Sequence, residues 1–283
     1  MRYLLKTKPQ QELLKRSTFK HKFFKQDFFT VVEYMASMKK IIPLLCFVLF
    51  LFSCKKQSTD PESLPNSYSD QALGKSANDL LSDAKYTTLN IQIQYMPGYA
   101  PNPTAISNFT AYINSLCNKP GGVNVTQQQI AANGDTLTVD KVAVIEAQNR
   151  TAYTAGNIIA IYVLVTDGYD TSATTLGFAY RNTSICLFGK NIFDHSGGFL
   201  EVTRISLETS ILEHEFGHIL GLVNLGTPMV VPHQDTAHGN HCNNPDCLMY
   251  YAIDTHDALP GLANRIPVLD SNCIKDLRGN GGK

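Results

Sequence analysis

Apolar and polar residues alternate strictly from Leu89 to Tyr95, with Leu89, Ile91 and Ile93 on one side and Asn90, Gln92 and Gln94 on the other. That period of two predicts a half-buried strand. The run Ile158 to Val165 is almost continuously apolar and rich in β-branched residues, which predicts a central strand buried on both faces. Between them, Pro101 to Cys117 follows a Pro-rich turn and places Ile106, Phe109, Ile113 and Leu116 at helical spacing. A short strand is predicted at Val123 to Val125. A helix is predicted at Val139 to Asn149, where Val142, Ile145 and Glu146 mark its face less cleanly. Two further short strands are expected near Thr175 to Tyr180 and Ser184 to Phe188. The run Ile205 to Leu220 then carries Leu207, Ile211, Leu212, Ile219 and Leu220 as a helical apolar stripe. Gly221 stands where that helix must stop, because glycine accepts the left-handed turn that lets the chain swing back. This order predicts an α+β, mixed α/β fold. A twisted, mixed and largely parallel sheet with helices forms an N-terminal lobe, followed by a small irregular C-terminal lobe.

The ends of the chain carry a different pattern. Met38-Lys39-Lys40 precedes an apolar run from Ile41 to Phe52, and Ser53-Cys54 follows. A basic start, a short apolar stretch and a small residue before cysteine have the layout of a secretory signal. Leu51-Phe52-Ser53-Cys54 resembles a bacterial lipobox, so residues 38–54 are expected to be a lipoprotein signal peptide, with acylation at Cys54. Twelve apolar residues are too few for a comfortable membrane span. The expected location is the bacterial cell envelope, with the lipid at Cys54 as membrane anchor. Residues 1–37 are expected to lie outside the folded part, as upstream codons before a true start at Met38 or as a long basic extension. Residues 55–85 are expected to be a tether, since the Ser, Pro, Asp and Gln after Cys54 cannot form a core. Residues 86–283 remain as one compact domain, expected to be a monomer.

The net charge of the 283 residues is zero, but it is unevenly spread. From Gln57 onward there are 12 Lys/Arg against 21 Asp/Glu, a net of −9. An acidic folded part argues against a nucleic-acid partner. There is no Ser/His/Asp nucleophile motif and no phosphate-binding glycine loop.

The candidate chemistry is concentrated in the run His214-Glu215-Phe216-Gly217-His218-Ile219-Leu220-Gly221, which fits H-E-x-x-H-x-x-G. On a helix, His214 and His218 lie one turn apart on one face, so both imidazoles can reach one metal ion. Glu215 beside them can deprotonate a metal-bound water without being a ligand. The pattern therefore points to a zinc-dependent hydrolase acting on a peptide or protein. A third ligand must come from downstream, where His233, Asp235, His238 and His241 are all available; five of the eight histidines lie between positions 214 and 241.

With these residues in hand, the chain resembles the metzincins, the zinc peptidases with H-E-x-x-H-x-x-G-x-x-H and a Met-turn. In particular it resembles the archaemetzincins, whose pattern continues from the third histidine as H-C-x4-C-x-M. His241-Cys242-Asn-Asn-Pro-Asp-Cys247-Leu248-Met249 matches that stretch residue for residue. The resemblance spans roughly positions 86 to 283, with its specific motifs within 214 to 249. The metzincin third-ligand position is occupied here by Asn224, and Leu225 to Asn240 then reads as an insertion. The resemblance implies His241 as third ligand and Met249 as an apolar floor beneath the imidazoles. It implies that Tyr251 can stabilise an oxyanion, and that Gly177, Phe178 and Ala179 belong to an antiparallel edge strand lining the substrate cleft. Archaemetzincins also bind a second, structural zinc through four cysteines. Here Asp270-Ser-Asn-Cys273 replaces the second pair, which leaves a Cys242, Cys247, Cys273 and Asp270 site, or a disulfide between two of the three cysteines. An oxidising compartment favours the disulfide.

Two rival readings stay open at this point. One is a zinc-containing surface lipoprotein that binds without catalysis, which an intact Glu215 disfavours. The other is a surface lipoprotein whose His-Glu-His helix arises by chance and holds no metal.

Overall fold

The structure, a computed structural model, describes residues 68–134, 136–199, 201–255 and 265–283. The expected extension, signal peptide, Cys54 anchor and first part of the tether lie outside the described residues. All described residues belong to the compact unit Pro61–Lys283.

Among the described residues the sheet has five strands: β1 (Thr88–Tyr95), β2 (Val123–Gln129), β3 (Ile158–Thr166), β4 (Gly177–Arg181) and β5 (Ser184–Phe188). Their order is β2-β1-β3-β5-β4. The pairs β1–β2, β1–β3 and β3–β5 are parallel, and β4 runs antiparallel to β5 at the edge. The helices are α1 (Ala77–Leu81), α2 (Pro103–Leu116), α3 (Val139–Asn149), α4 (Gly189–Asp194), α5 (Arg204–Ile219) and α6 (Ser271–Gly279). The mixed, largely parallel sheet matches the pattern expected from the alternation in β1 and the apolar run in β3.

Each sheet face has its own core. Leu89, Ile91, Ile93, Ile161 and Val163 pack with Phe109 and Ile113 of α2 and with Leu212 and Phe216 of α5. Phe109 and Phe216 meet edge to face at 5.6 Å, a favourable aromatic arrangement. The opposite face buries Tyr162, Leu164, Cys186 and Phe188 with Val142 of α3. The polar side of β1 is buried too, and its groups are satisfied. Gln92 Oε1 accepts from the Thr151 and Ala152 amides, and Gln94 Oε1 accepts from the Tyr162 hydroxyl. Burial without such partners would cost roughly 1–3 kcal/mol per group.

Two expectations need correction. Residues 68–85 do not behave as tether throughout: α1 places Leu80 and Leu81 fully inside the core, and Tyr68 packs against Tyr86 at 5.8 Å. The Ser- and Asp-rich composition hid two leucines that one short helix delivers to the core. The C-terminal lobe, expected to be irregular, contains α6. Asp270 caps it by accepting from the Asn272 and Cys273 amides, the standard way a helix start satisfies its free N–H groups.

Candidate metal centre

Helix α5 positions the centre. It starts at Thr203, whose side chain accepts from the Ser206 amide. Near that start, Glu208 accepts from Arg204 Nε at 2.6 Å and from the Asn102 amide at the head of α2 at 2.7 Å. The helix is buried from Ser206 to Ile219, so its polar residues lie inside the molecule. It ends at Gly221, which has φ of +71°; a Cβ there would come within 2.6 Å of the Thr227 amide nitrogen. Glycine is therefore required for the turn that redirects the chain.

That turn and the loop behind it bring His241 back to His214 and His218. One nitrogen of each of the three residues lies within 4.8 Å of the others. His214 and His241 present the same atom. His214 Nδ1 donates to the Leu248 carbonyl at 2.7 Å, and His241 Nδ1 donates to the His238 carbonyl at 2.6 Å. A carbonyl only accepts, so both Nδ1 atoms carry a proton, and Nε2 is the atom each of these rings has left to offer a metal. His218 Nε2 lies 3.2 Å from His214 Nε2. His241 Nε2 is buried with no hydrogen-bond partner. Burial, with the neighbouring imidazoles, pushes His214 down to about 3 and His218 well below the usual histidine range. Converging imidazole nitrogens are a donor set zinc takes, and three of them leave one position open. The residues present fit the ion.

Glu215 is buried beside this cluster, and its Oε1 has no partner. Burial first, then the nearby Asp254 carboxylate, hold its carboxyl well above the usual range, and a backbone hydrogen bond from Ala179 partly opposes this. Asp254 itself lies 3.7 Å from His241 Nε2. Sequence reading missed Asp254, since no spacing rule connects it to the helix motif.

The remaining candidates fall around the centre. Met249 is fully buried, and a Cβ on Gly217 would collide with its thioether, so the methionine lies against α5 between the two histidine turns. Tyr251 opens a 3₁₀ turn (Tyr251–Asp254), and its ring stacks on His238 at 3.7 Å, 5° from parallel. His238 is also paired with Asp235, Nδ1 to Oδ2 at 2.7 Å. His238 and Asp235 are thus outside the three-histidine cluster. Asn224 Nδ2 donates to Gln234 Oε1 across the 225–240 loop. Gly177, Phe178 and Ala179 lie in the edge strand β4, as expected. A Cβ on Gly177 would come within 2.7 Å of Ile211 Cγ2 and 3.4 Å of Glu215 Cγ, so this glycine lets the edge strand approach α5. The expected disulfide is not formed. Cys242, Cys247 and Cys273 are all free, and the Cys247 and Cys273 sulfurs stand 3.7 Å apart, far beyond the roughly 2.05 Å of an S–S bond.

The fold is similar to that of archaemetzincin from Methanopyrus kandleri, at 14% sequence identity and a TM-score of 0.47, covering 69% of this chain and 96% of that one. It is also similar to metalloproteinase-II from Bacteroides fragilis, at 14% identity and a TM-score of 0.38, covering 70% of this chain and 54% of that one. No protein-family model and no curated protein matches the chain by sequence.

One neighbour of the centre links stability to pH. Burial pushes the Glu213 carboxyl from 4.5 up to about 8. The folded state therefore holds a proton that the unfolded state releases, and stability falls as pH rises from the unfolded value through about 8. Glu213→Gln is expected to match the wild-type thermal midpoint near ~pH 5 and to exceed it near ~pH 9. Equal midpoints at both pH values would show that Glu213 titrates as an ordinary surface carboxylate.

Proposed function

We propose that this chain is a zinc-dependent peptidase in which His214, His218 and His241 hold the ion and Glu215 moves the proton. The observation that carries this reading is the convergence of three imidazole nitrogens next to a buried carboxyl oxygen without a partner. Each unsatisfied buried polar group costs roughly 1–3 kcal/mol, so their clustering marks a place built for a ligand. Bound zinc would supply a polarised water and draw electrons from the scissile carbonyl.

The chain's own residues supply the rest. Glu215, with an affinity for protons raised by burial, is placed to take a proton from the attacking water and return it to the leaving amine. Met249 packs against α5 at Gly217, between the two helix histidines. The edge strand β4, held close to α5 at Gly177, offers main-chain hydrogen bonds to an extended peptide, which favours cleavage within a chain over removal of single terminal residues. Tyr251, stacked on His238, is the candidate donor to the oxyanion.

Hydrolysis of an unstructured protein by the purified chain should be lost on incubation with a zinc chelator and return on adding zinc. Activity that persists after the metal is stripped would contradict the proposal.

A further inference from the structure

The two edges of the sheet are built differently. β4 is five residues long, its register with β5 shifts between Ala179 and Arg181, and it carries the charged Arg181, paired with Asp70 at 2.9 Å. Short length, a bulge and a charge limit how much of an edge another chain can pair with. β2 has none of these. It is seven residues long, and its register with β1 runs unbroken from Leu89–Val123 to Tyr95–Gln129. Its sequence Val-Asn-Val-Thr-Gln-Gln-Gln contains no charge and no proline, and positions 124 and 126–129 are exposed.

The register fixes which groups of β2 point outward. The Leu89 amide donates to the Gly122 carbonyl and the Ile130 amide to the Tyr95 carbonyl. The even-numbered residues of β2 therefore bond to β1, and the amides and carbonyls of Val123, Val125, Gln127 and Gln129 face away from the sheet. Among the described residues no strand takes them up. Such a row of alternating donors and acceptors is matched by another extended main chain. Charge selects which one. Between Lys85 and Asp135 the single charged residue is Lys119. It is buried and donates to the Asp79, Ser82 and Tyr86 carbonyls. That stretch holds β1, α2 and β2, and the exposed positions of α2 include Thr104, Ser107, Asn114 and Ser115. From Gln57 onward, by contrast, the chain is acidic, with 12 Lys/Arg against 21 Asp/Glu. Two acidic copies can meet without repulsion only where the surface is neutral, and depletion of charge marks the middle of an interface.

We propose that β2 pairs with β2 of a second copy of this chain, antiparallel about a twofold axis at Thr126, in place of the expected monomer. The edge is self-complementary about that axis. Thr126 stands opposite itself, Asn124 opposite Gln128 of the second copy, and Val125 opposite Gln127. A threonine pair is a favourable cross-strand contact, and amide side chains both donate and accept. A twofold contact uses the same patch on both copies, and here no like charges meet. β1, β3 and β5 separate β2 from β4, so the pairing leaves the β4 edge free and is independent of hydrolysis.

Analytical ultracentrifugation of the purified full chain should give a mass twice that of one chain. Gln127→Pro removes an outward amide that β1 does not use, a place where an edge strand tolerates proline. Thr126→Lys sets two ammonium groups against each other across the twofold. Both variants should sediment as single chains at concentrations where wild type is paired, with the circular dichroism of wild type. Should Gln127→Pro fail to fold, Thr126→Lys, at an exposed position, carries the test. Thr126→Cys should form a disulfide-linked pair under mild oxidation, and wild type treated alike should not. Residues opposite each other in a pair without main-chain hydrogen bonds have Cα atoms about 4.5 Å apart, within reach of a disulfide. A wild type that sediments as a single chain would leave the edge to another partner and overturn the proposal. Association that Thr126→Lys leaves unchanged would place the contact elsewhere in the chain and overturn it too, as would a Thr126→Cys chain that does not cross-link.

Discussion

Glu215→Gln is expected to lower peptide hydrolysis by roughly 10²- to 10⁴-fold, the usual contribution of a positioned general base, while the zinc content stays that of wild type. Gln matches Glu in shape but cannot take a proton. The three imidazoles do not depend on this side chain: His214 and His241 are oriented by the Leu248 and His238 carbonyls. The variant should also fold at least as well. Burial raises the Glu215 pKa, so the metal-free protein loses stability as pH climbs through the folded value. An amide removes that loss. Steady-state hydrolysis with metal analysis on the same sample decides the matter. Undiminished activity would remove Glu215 from the chemistry, and loss of zinc would mean that it acts as a ligand.

The second large effect is expected at the third histidine. His241→Ala should weaken zinc at the first centre by more than about 100-fold, since disturbing even an outer partner of a ligand costs roughly 10–100-fold. Hydrolysis should fall with it. His238→Ala should keep the ion, because the His238 imidazole is paired with Asp235 and stacked on Tyr251. Its contribution to His241 is a backbone carbonyl, which alanine also provides. Zinc titration against a competing chelator compares the two variants. The reverse ranking would make His238 the ligand.

Much of the fold was legible because long elements impose a period. The alternation in β1, the unbroken apolar run in β3 and the stripe on α5 each need many residues in register, and all three elements form. The short helices α1 and α6 were not legible. Five and nine residues, mostly small or polar, carry too little periodicity to stand out. Within the candidate site, His214, Glu215 and His218 were readable because one helical turn separates the ligands. His241 could be singled out only by resemblance, since a polar loop with three histidines has no period. The pairing of His233 with Asp276, 43 residues apart, left no local trace. Nor did Asp254, which reaches the centre through a single turn of 3₁₀ helix. Such convergence depends on how the C-terminal lobe folds back onto α5, which local pattern does not encode.

The most direct measurement is an anomalous difference map at the zinc absorption edge from crystals of the zinc-loaded protein. The account predicts a peak about 2.1 Å from the Nε2 atoms of His214, His218 and His241 together. No peak among these three nitrogens, in crystals whose zinc content is established, would contradict it.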